Sequence, residues 1–439
     1  MPDGRRRYAL VGAGARAGMF LRALAVDHAD RAVVTALADV NHTRMAAHNR
    51  WLEELGAAPV NTYAAAEFAA MLTRERVDEV LVTSVDATHA DYIVAALRAG
   101  CDVVTEKPMT TDVDGCRRIL AAVEETGRRV RVAFNYRYNP LHEALRELLA
   151  GGEIGEIGSV HFEWLLDVRH GADYFRRWHR AAANSGGLLV HKSGHHFDLV
   201  NWWLDATPAT VFAQGRRFFY GPEGRRHGYA RDYARGHGAP EAKTDPFALH
   251  LADNPQLRAL YLDAEDEDGY LRDQNVFAPG VTIDDDLAVL VRYSTGATMT
   301  YHLTAYAPWE GYRVMVNGSR GRLELEVVES DHVSPAGASE VKGAAVHGEV
   351  AAAERGRARL TVHPFWAPPR EVPVPGYRRG GHGGADARMT AVLFGGATDP
   401  MDRSATARDG ALALLTGLAA NRSMATGAPV AAADLLDPT

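Results

Sequence analysis

Gly12-Ala13-Gly14-Ala15-Arg16-Ala17-Gly18 stands directly after the apolar run Tyr8-Ala9-Leu10-Val11 and opens a helical pattern that continues through Leu24. A glycine-rich turn between a strand and a helix lets the backbone approach a pyrophosphate, and the helix N-terminus supplies free amide donors and a favourable dipole. The next apolar run, Ala32 to Ala38, ends at Asp39, 25 residues beyond Gly14. A carboxylate there accepts hydrogen bonds from the adenosine ribose hydroxyls and repels a 2′-phosphate, which favours NAD over NADP; Arg44 nearby acts slightly against that preference. Glycine turns also occur for packing alone. The strand before, the helix after and the acidic end of the second strand together make Gly12, Gly14, Ala15, Arg16, Asp39 and Arg44 the expected cofactor contacts.

Outward from this turn, residues 1–134 alternate short apolar runs with longer helical patterns, the βαβ signature of a doubly wound parallel sheet of the Rossmann type. The run Glu79 to Val82 leads into Thr83-Ser84-Val85-Asp86-Ala87-Thr88-His89. Thr83, Ser84 and His89 are expected to line the nicotinamide side of the crevice, although His89 can instead simply cap the helix from Ala90 to Arg98. Val103-Val104-Thr105 is followed by Glu106-Lys107-Pro108. A lysine at the C-terminal end of such a strand reaches both a cofactor ribose and a substrate hydroxyl, and the proline biases it away from helical φ/ψ. Val132-Ala133-Phe134 reads as the last strand of this domain. The turn Asn135-Tyr136-Arg137-Tyr138-Asn139-Pro140 then opens on the ligand crevice and leads into a helix, Leu141 to Leu149.

Residues 135–439 read as a second, α+β domain for substrate binding and oligomerisation. Ile157 to Leu166, Thr210 to Phe219, Leu287 to Tyr293, Thr298 to Tyr306, Tyr312 to Val316 and Arg322 to Val328 mostly alternate, as in a large mixed and mainly antiparallel sheet with one solvated face. Residues 220–280 form a long insertion whose acidic stretch, Asp263 to Asp268, reads as a solvated face. That insertion and the Gly-, Ala- and Pro-rich residues 330–388 are candidates for lids or subunit contacts. A last helix is expected over residues 405–425.

The chain of 439 residues is 46% hydrophobic and 24% charged, which excludes a disordered or fibrous class. Its net charge of −8, with both signs interspersed, leaves no basic footprint for nucleic acid and no polybasic patch for a membrane, so a small molecule is the expected partner. The two cysteines, Cys101 and Cys116, argue against a disulfide framework and fit a reducing cytoplasm. Arg5-Arg6-Arg7 before an apolar run resembles the start of an export signal, but Gly12 interrupts it and no cleaved signal is expected.

The densest polar cluster is Gly186-Gly187-Leu188-Leu189-Val190-His191-Lys192-Ser193-Gly194-His195-His196-Phe197-Asp198. On one continuous helix, His191 and His195 share a face, as do His195 and Asp198. Such a face can hold a general base oriented by a carboxylate. It can also hold a metal, or histidines that merely satisfy core hydrogen bonds. No HExxH glutamate or cysteine ligand accompanies the pair, so no metal is expected. Upstream, Arg176-Arg177-Trp178-His179-Arg180 reads either as a ligand wall or as a surface helix.

The glycine fingerprint, Glu106-Lys107-Pro108, the Asn135-Tyr136-Arg137-Tyr138 turn, Trp178 and the glycine pair leading to His195 and Asp198 together resemble the glucose-fructose oxidoreductase and inositol dehydrogenase family, Gfo/Idh/MocA, over most of the chain. The resemblance implies a Rossmann domain followed by an open-faced sheet domain, tightly bound NAD(H), and homodimers or homotetramers. It makes Lys107 a catalytic residue and carries the histidine of a DxxxH motif onto His195. The chain departs from the family where many members have aspartate, four residues before His195: His191 stands there, with Lys192 next. His195 is the expected leading base, positioned by Asp198; alternatively His191 or Lys192 takes over acid-base work, or the proton travels through Lys107 and a tyrosine, Tyr138 or Tyr174. Glu106, Asn135 and Trp178 are further expected cofactor contacts, and Arg137, Tyr174, Arg177, Lys192, His196 and Trp309 expected substrate contacts. Three activities follow: hydride transfer between a ring carbinol of a sugar, glycoside or cyclitol and NAD; a redox-neutral glycosidase or C–O lyase working through a transient keto-sugar; or a non-catalytic NAD-binding regulator.

Overall fold

The structure, a computed structural model, describes residues 4–333, 356–376 and 381–436. The first unit alternates β1 (Arg6–Val11), α1 (Ala15–Arg22), β2 (Ala32–Asp39), α2 (His42–Glu54), β3 (Asn61–Ala64), α3 (Phe68–Arg74), β4 (Glu79–Val82), α4 (His89–Arg98), β5 (Asp102–Thr105), α5 (Val113–Thr126) and β6 (Val130–Val132). These strands pair in parallel in the order β6-β5-β4-β1-β2-β3. The order reverses between β4 and β1, and this switch point opens the crevice above their C-terminal ends. The central strands are apolar and buried on both sides, Val80, Leu81 and Val82 having no exposed surface, because helices cover both faces.

The second unit begins with α6 (Pro140–Ala150), β7 (Ile157–Asp167), α7 (Val168–Arg176), the short α8 (Ala182–Ser185) and α9 (Leu188–His191), α10 (Gly194–Leu204) and β8 (Pro208–Arg216). The insertion follows, carrying α11 (Pro255–Leu257) and α12 (Glu265–Asp268). The sheet resumes with β9 (Asp286–Tyr293), β10 (Thr298–Ala307), β11 (Glu310–Gly318), β12 (Gly321–Ser330), β13 (Arg357–Pro364) and β14 (Arg370–Glu371). After them come α13 (Ala385–Leu393), β15 (Ala405–Thr406), α14 (Ala407–Thr426) and β16 (Val430–Ala431).

Among the described residues the second sheet has nine strands, in the order β14-β13-β12-β11-β7-β10-β9-β8-β16. Only the β7–β10 pair is parallel. Burial alternates residue by residue along β9 to β12, so one face packs on helices and the other carries Thr, His, Arg and Glu. Trp164, Phe162 and Tyr312 on the inner face join Trp203 and Phe197 of α10 in one core.

The expected mixed sheet is present, with three strands beyond it: β13 and β14 at one edge and β16 at the other. β13 and β14 lie in the Gly-, Ala- and Pro-rich stretch read as a connection, of which residues 334–355 and 377–380 fall outside the described residues. β14, of two residues, is too short to stand out from that composition. The chain also returns to the first unit. β15 adds antiparallel to β6, and Phe394 at the end of α13 packs edge-on against Tyr8 and Phe20. A division at residue 134 thus assigns to the second unit elements that complete the first. α14 begins at a capping box of Thr406 and Asp409 and stops at Gly427 in the left-handed region, close to the expected bounds.

Candidate active site

β1 ends at Gly12, whose φ of +98° suits glycine, and a Cβ there would lie 2.4 Å from the Ser84 amide nitrogen. That contact lets the loop after β4 close on the loop after β1. Thr83 Oγ1 seals it by donating to Gly12 O at 2.7 Å, while Ser84 Oγ bonds Thr88 Oγ1 at 2.7 Å. α1 has no side-chain cap from Gly14; the Ala15 amide donates to Tyr261 Oη at 3.1 Å, and the helix N-terminus keeps the dipole that favours an anion. At the end of β2, Asp39 accepts from Ala13 N at 2.5 Å and Asn41 N at 2.8 Å, which fixes the carboxylate beside the glycine turn. Val40, next in sequence, is 65% exposed and leaves an apolar floor open beside Asp39. The cradle, the helix N-terminus, the carboxylate and the open floor fit a dinucleotide.

Arg16, Glu106 and Asn135, all expected at the cofactor, are bound to one another. Arg16 Nε donates to Glu106 at 2.5 Å, its terminal nitrogens donate to Asp386, and Asn135 Nδ2 donates to Asp386 at 2.8 Å. Asp386, from α13, was not foreseen, since nothing in its surroundings marks it.

Lys107 leaves the end of β5 and meets residues from two other segments. Its Nζ donates to His191 O at 3.1 Å and lies 3.4 Å from His191 Nε2. His191 Nδ1 is 2.5 Å from Asp86 Oδ2. With Asp86 accepting at Nδ1, the Nε2 lone pair faces Lys107 and the crevice. Burial pulls the Lys107 ammonium below its ordinary range, against the attraction of Asp86. Burial, then the charge of Lys107, lowers His191, and burial raises the Asp86 carboxyl although Lys107 opposes it. A buried acid and base with a half-buried cation within hydrogen-bonding reach form a proton-handling group. Asp86 stands in the loop after β4, and its place beyond a strand end at the switch point is the sequence signal that marks it.

His89 is fully buried, with Nδ1 2.8 Å from Pro108 O and Nε2 3.1 Å from Ser84 O. Burial lowers its pKa. It ties the segment carrying Asp86 to the segment carrying Lys107 rather than facing the crevice. On the other side His179, also unforeseen, lies 4.2 Å from His191 between ring centroids, with Trp178 stacked on it at 3.5 Å and Tyr174 edge-on to His191 at 5.7 Å. Arg177 is fixed by Asp173, which also accepts from Arg272 at 2.7 Å. Burial alone would raise the Asp173 carboxyl; Arg177, Arg272 and Arg176 overcome it and hold Asp173 below the usual carboxylate range. The Arg176–Arg180 segment is thus a wall of the cluster, not a surface helix.

Several expected pairings do not form. α9 ends at His191 and α10 starts only at Gly194, so His191 and His195 do not share one helical face. Asp198 does not orient His195: both its oxygens accept from Arg137, at 2.6 and 2.8 Å, and Arg137 also reaches Asp409. Arg137 is accordingly a buried structural cation rather than a substrate contact. His195 stacks on Tyr136 at 4.4 Å, and Lys192 Nζ donates to Tyr136 Oη at 3.1 Å while lying 4.5 Å over Trp164. His196 is bound by Tyr301 Oη at 2.7 Å and stacked on Trp164, which removes it from any ligand. Tyr138 is buried in the Rossmann core beneath Arg403 and cannot relay a proton to Lys107. Trp309, in the turn before β11, stacks with Arg313 at 5.5 Å.

A cavity of about 290 Å³, lined by His237, Lys243, His250 and neighbours of the insertion, contains none of the Lys107 cluster. Cys101 and Cys116 are buried free thiols. Among the described residues no helix is long and apolar enough to cross a membrane.

Residues 6–134 match the family model described as oxidoreductase family, NAD-binding Rossmann fold, and residues 146–432 match its C-terminal alpha/beta domain. A Bacillus subtilis (strain 168) protein, provisionally named oxidoreductase YteT, is 33% identical over 428 residues, 95% of each chain. An inositol 2-dehydrogenase of Rubrobacter xylanophilus is 29% identical over 151 residues, 33% of this chain and 39% of its own. The WlbA dehydrogenase of Bordetella pertussis, crystallised with NADH and UDP-GlcNAcA, superposes with a TM-score of 0.63 over 97% of this chain and 98% of its own at 18% identity, a likeness of fold.

Proposed function

The chain belongs to the Gfo/Idh/MocA oxidoreductase family and carries its NAD-binding Rossmann domain, and from that premise we propose that it transfers hydride between NAD and a ring carbinol of a sugar, glycoside or cyclitol. The observation that carries this reading is the Asp86–His191–Lys107 cluster at the C-terminal ends of β4 and β5. When bound, NAD supplies the hydride acceptor. His191 Nε2 takes the hydroxyl proton, Asp86 holds Nδ1–H and thereby the tautomer, and Lys107 stabilises the developing alkoxide. Trp178 and Tyr174 offer faces for the ring, and Arg177 a donor for its hydroxyls. The inositol 2-dehydrogenases among the relatives, and the sugar nucleotide bound by WlbA, support the substrate class.

The test incubates the purified protein with sugars, cyclitols and aryl glycosides while following absorbance at 340 nm and aglycone release. Stoichiometric NADH without aglycone release is expected. Aglycone release over many turnovers without net NADH, lost when NAD is stripped and restored on its return, would replace this reading by the redox-neutral glycosidase.

The pH profile provides a second check. A histidine of lowered pKa sheds its proton early, so the acid limb of kcat/KM should fall below the ordinary value of 6.5. An ammonium of lowered pKa loses its charge early, so the alkaline limb should fall below 10.5. An acid limb above 6.5 would exclude His191 as the base.

A further inference from the structure

The acidic end of the insertion does not simply face solvent. Glu267 accepts from the amides of His42 and Thr43 at 2.6 and 3.0 Å and from the Thr43 hydroxyl, while Asn41 Nδ2 donates to Ala264 O at 2.8 Å. Leu249, Leu251, Leu257, Leu260 and Tyr261 pack on Ala47 of α2. Tyr261 Oη accepts from Ala15 N at 3.1 Å, at the first turn of α1. The insertion is thereby anchored along the rim of the groove where the fingerprint places the adenosine ribose and pyrophosphate.

At the centre of this contact lies Arg44. Its Nε donates to Leu260 O at 2.9 Å, and its terminal nitrogens lie 2.6 and 3.3 Å from the two oxygens of Asp268. Its guanidinium stacks near Tyr261 and Tyr270, at 5.7 and 5.6 Å. Yet Arg44 Nη1 is only 3.9 Å from Asp39 Oδ1, the carboxylate assigned to the ribose hydroxyls. An arginine at this position is the group that would otherwise take a 2′-phosphate in bidentate fashion. Here its fork is already occupied by Asp268, and a 2′-phosphate would meet two carboxylates flanking a neutralised cation.

We propose that Asp268, a residue of the second unit's insertion, is a cofactor-specificity residue: by sequestering Arg44 it makes the groove reject the 2′-phosphate of NADP. The proposal rests on the dinucleotide reading of the groove. It makes the insertion part of the nucleotide site although it lies 224 residues from Arg44 in sequence.

Equilibrium titrations of the full chain with NADH and NADPH, read by nicotinamide fluorescence, test it without recourse to turnover. The wild type should bind NADH at least about tenfold more tightly than NADPH, the size of one charge-assisted contact. Asp268→Asn should tighten NADPH about tenfold or more and change NADH less than about threefold, and adding Arg44→Met should cancel the gain. Arg44→Met alone keeps every anchor of Glu267 and serves if Asp268→Asn does not fold; it should leave NADPH no weaker than in the wild type. The proposal is overturned if Asp268→Asn still binds NADH without improved NADPH, if the gain survives Arg44→Met, or if Arg44→Met alone weakens NADPH tenfold. Binding of neither nucleotide by the wild type would instead overturn the cofactor reading, and this one with it.

Discussion

Lys107→Met is expected to lower kcat by about three orders of magnitude, within the range for loss of a positioned proton-transfer or oxyanion-stabilising group. The side chain lies on the far side of the His191 ring from Asp86, in contact with both the His191 carbonyl and its ring. Its removal takes away the cation that stabilises the alkoxide, and the alkaline limb of the pH profile should disappear with it. Methionine fills similar space without a desolvated charge, so the melting temperature should not fall. That combination separates chemistry from folding: a kcat within tenfold of wild type would sink the catalytic assignment, and a large drop in melting temperature would make Lys107 structural.

Asp198→Ala is expected to act in the opposite way, costing about 3–5 kcal/mol of stability. Asp198 and Arg137 have side chains 1% and 3% exposed and share two hydrogen bonds. Burial works against the guanidinium's charge, and Asp198 and Asp409 overcome it, holding Arg137 above its ordinary range. Without Asp198 the buried cation is left with the partly exposed Asp409, the Asp402 carbonyl and the Trp202 ring. Denaturant unfolding reads the loss, and the double replacement Arg137→Met, Asp198→Leu should recover much of it because no unpaired charge remains. If Asp198→Ala instead kept its stability and lost turnover, the aspartate would serve a histidine base after all.

The contrast between these two residues marks where local pattern stops being informative. A three-residue spacing does place His195 and Asp198 on one side of a helix, but it does not say which of them a third group claims. Arg137, 61 residues earlier, takes Asp198 because a buried carboxylate needs a cation more than it needs a neutral ring. The same reasoning covers His191. Read as part of one helix it belongs with His195; Lys192 and Ser193 interrupt that helix, and its ring turns to Asp86, 105 residues away. Tyr138 and His196 look equally available as motif neighbours, yet Tyr138 packs into the core of the first unit and His196 is held by Tyr301 and Trp164 in the second.

Glycines 12 and 14, Asp39 at the end of β2, Lys107 after β5 and the alternation of β9 to β12 were legible in the chain by itself, because each is set by backbone sterics or by a periodicity of two or 3.6 residues acting over a few neighbours. Tertiary structure alone decided the Asp86–His191–Lys107 cluster, the Asp386 bridge between Arg16 and Asn135, the return of β15 to the first sheet and the capture of Arg44 by Asp268. These depend on which distant charges and hydrogen-bonding groups are desolvated together, and the cost of leaving a buried polar group unpaired is settled only when the whole chain has packed.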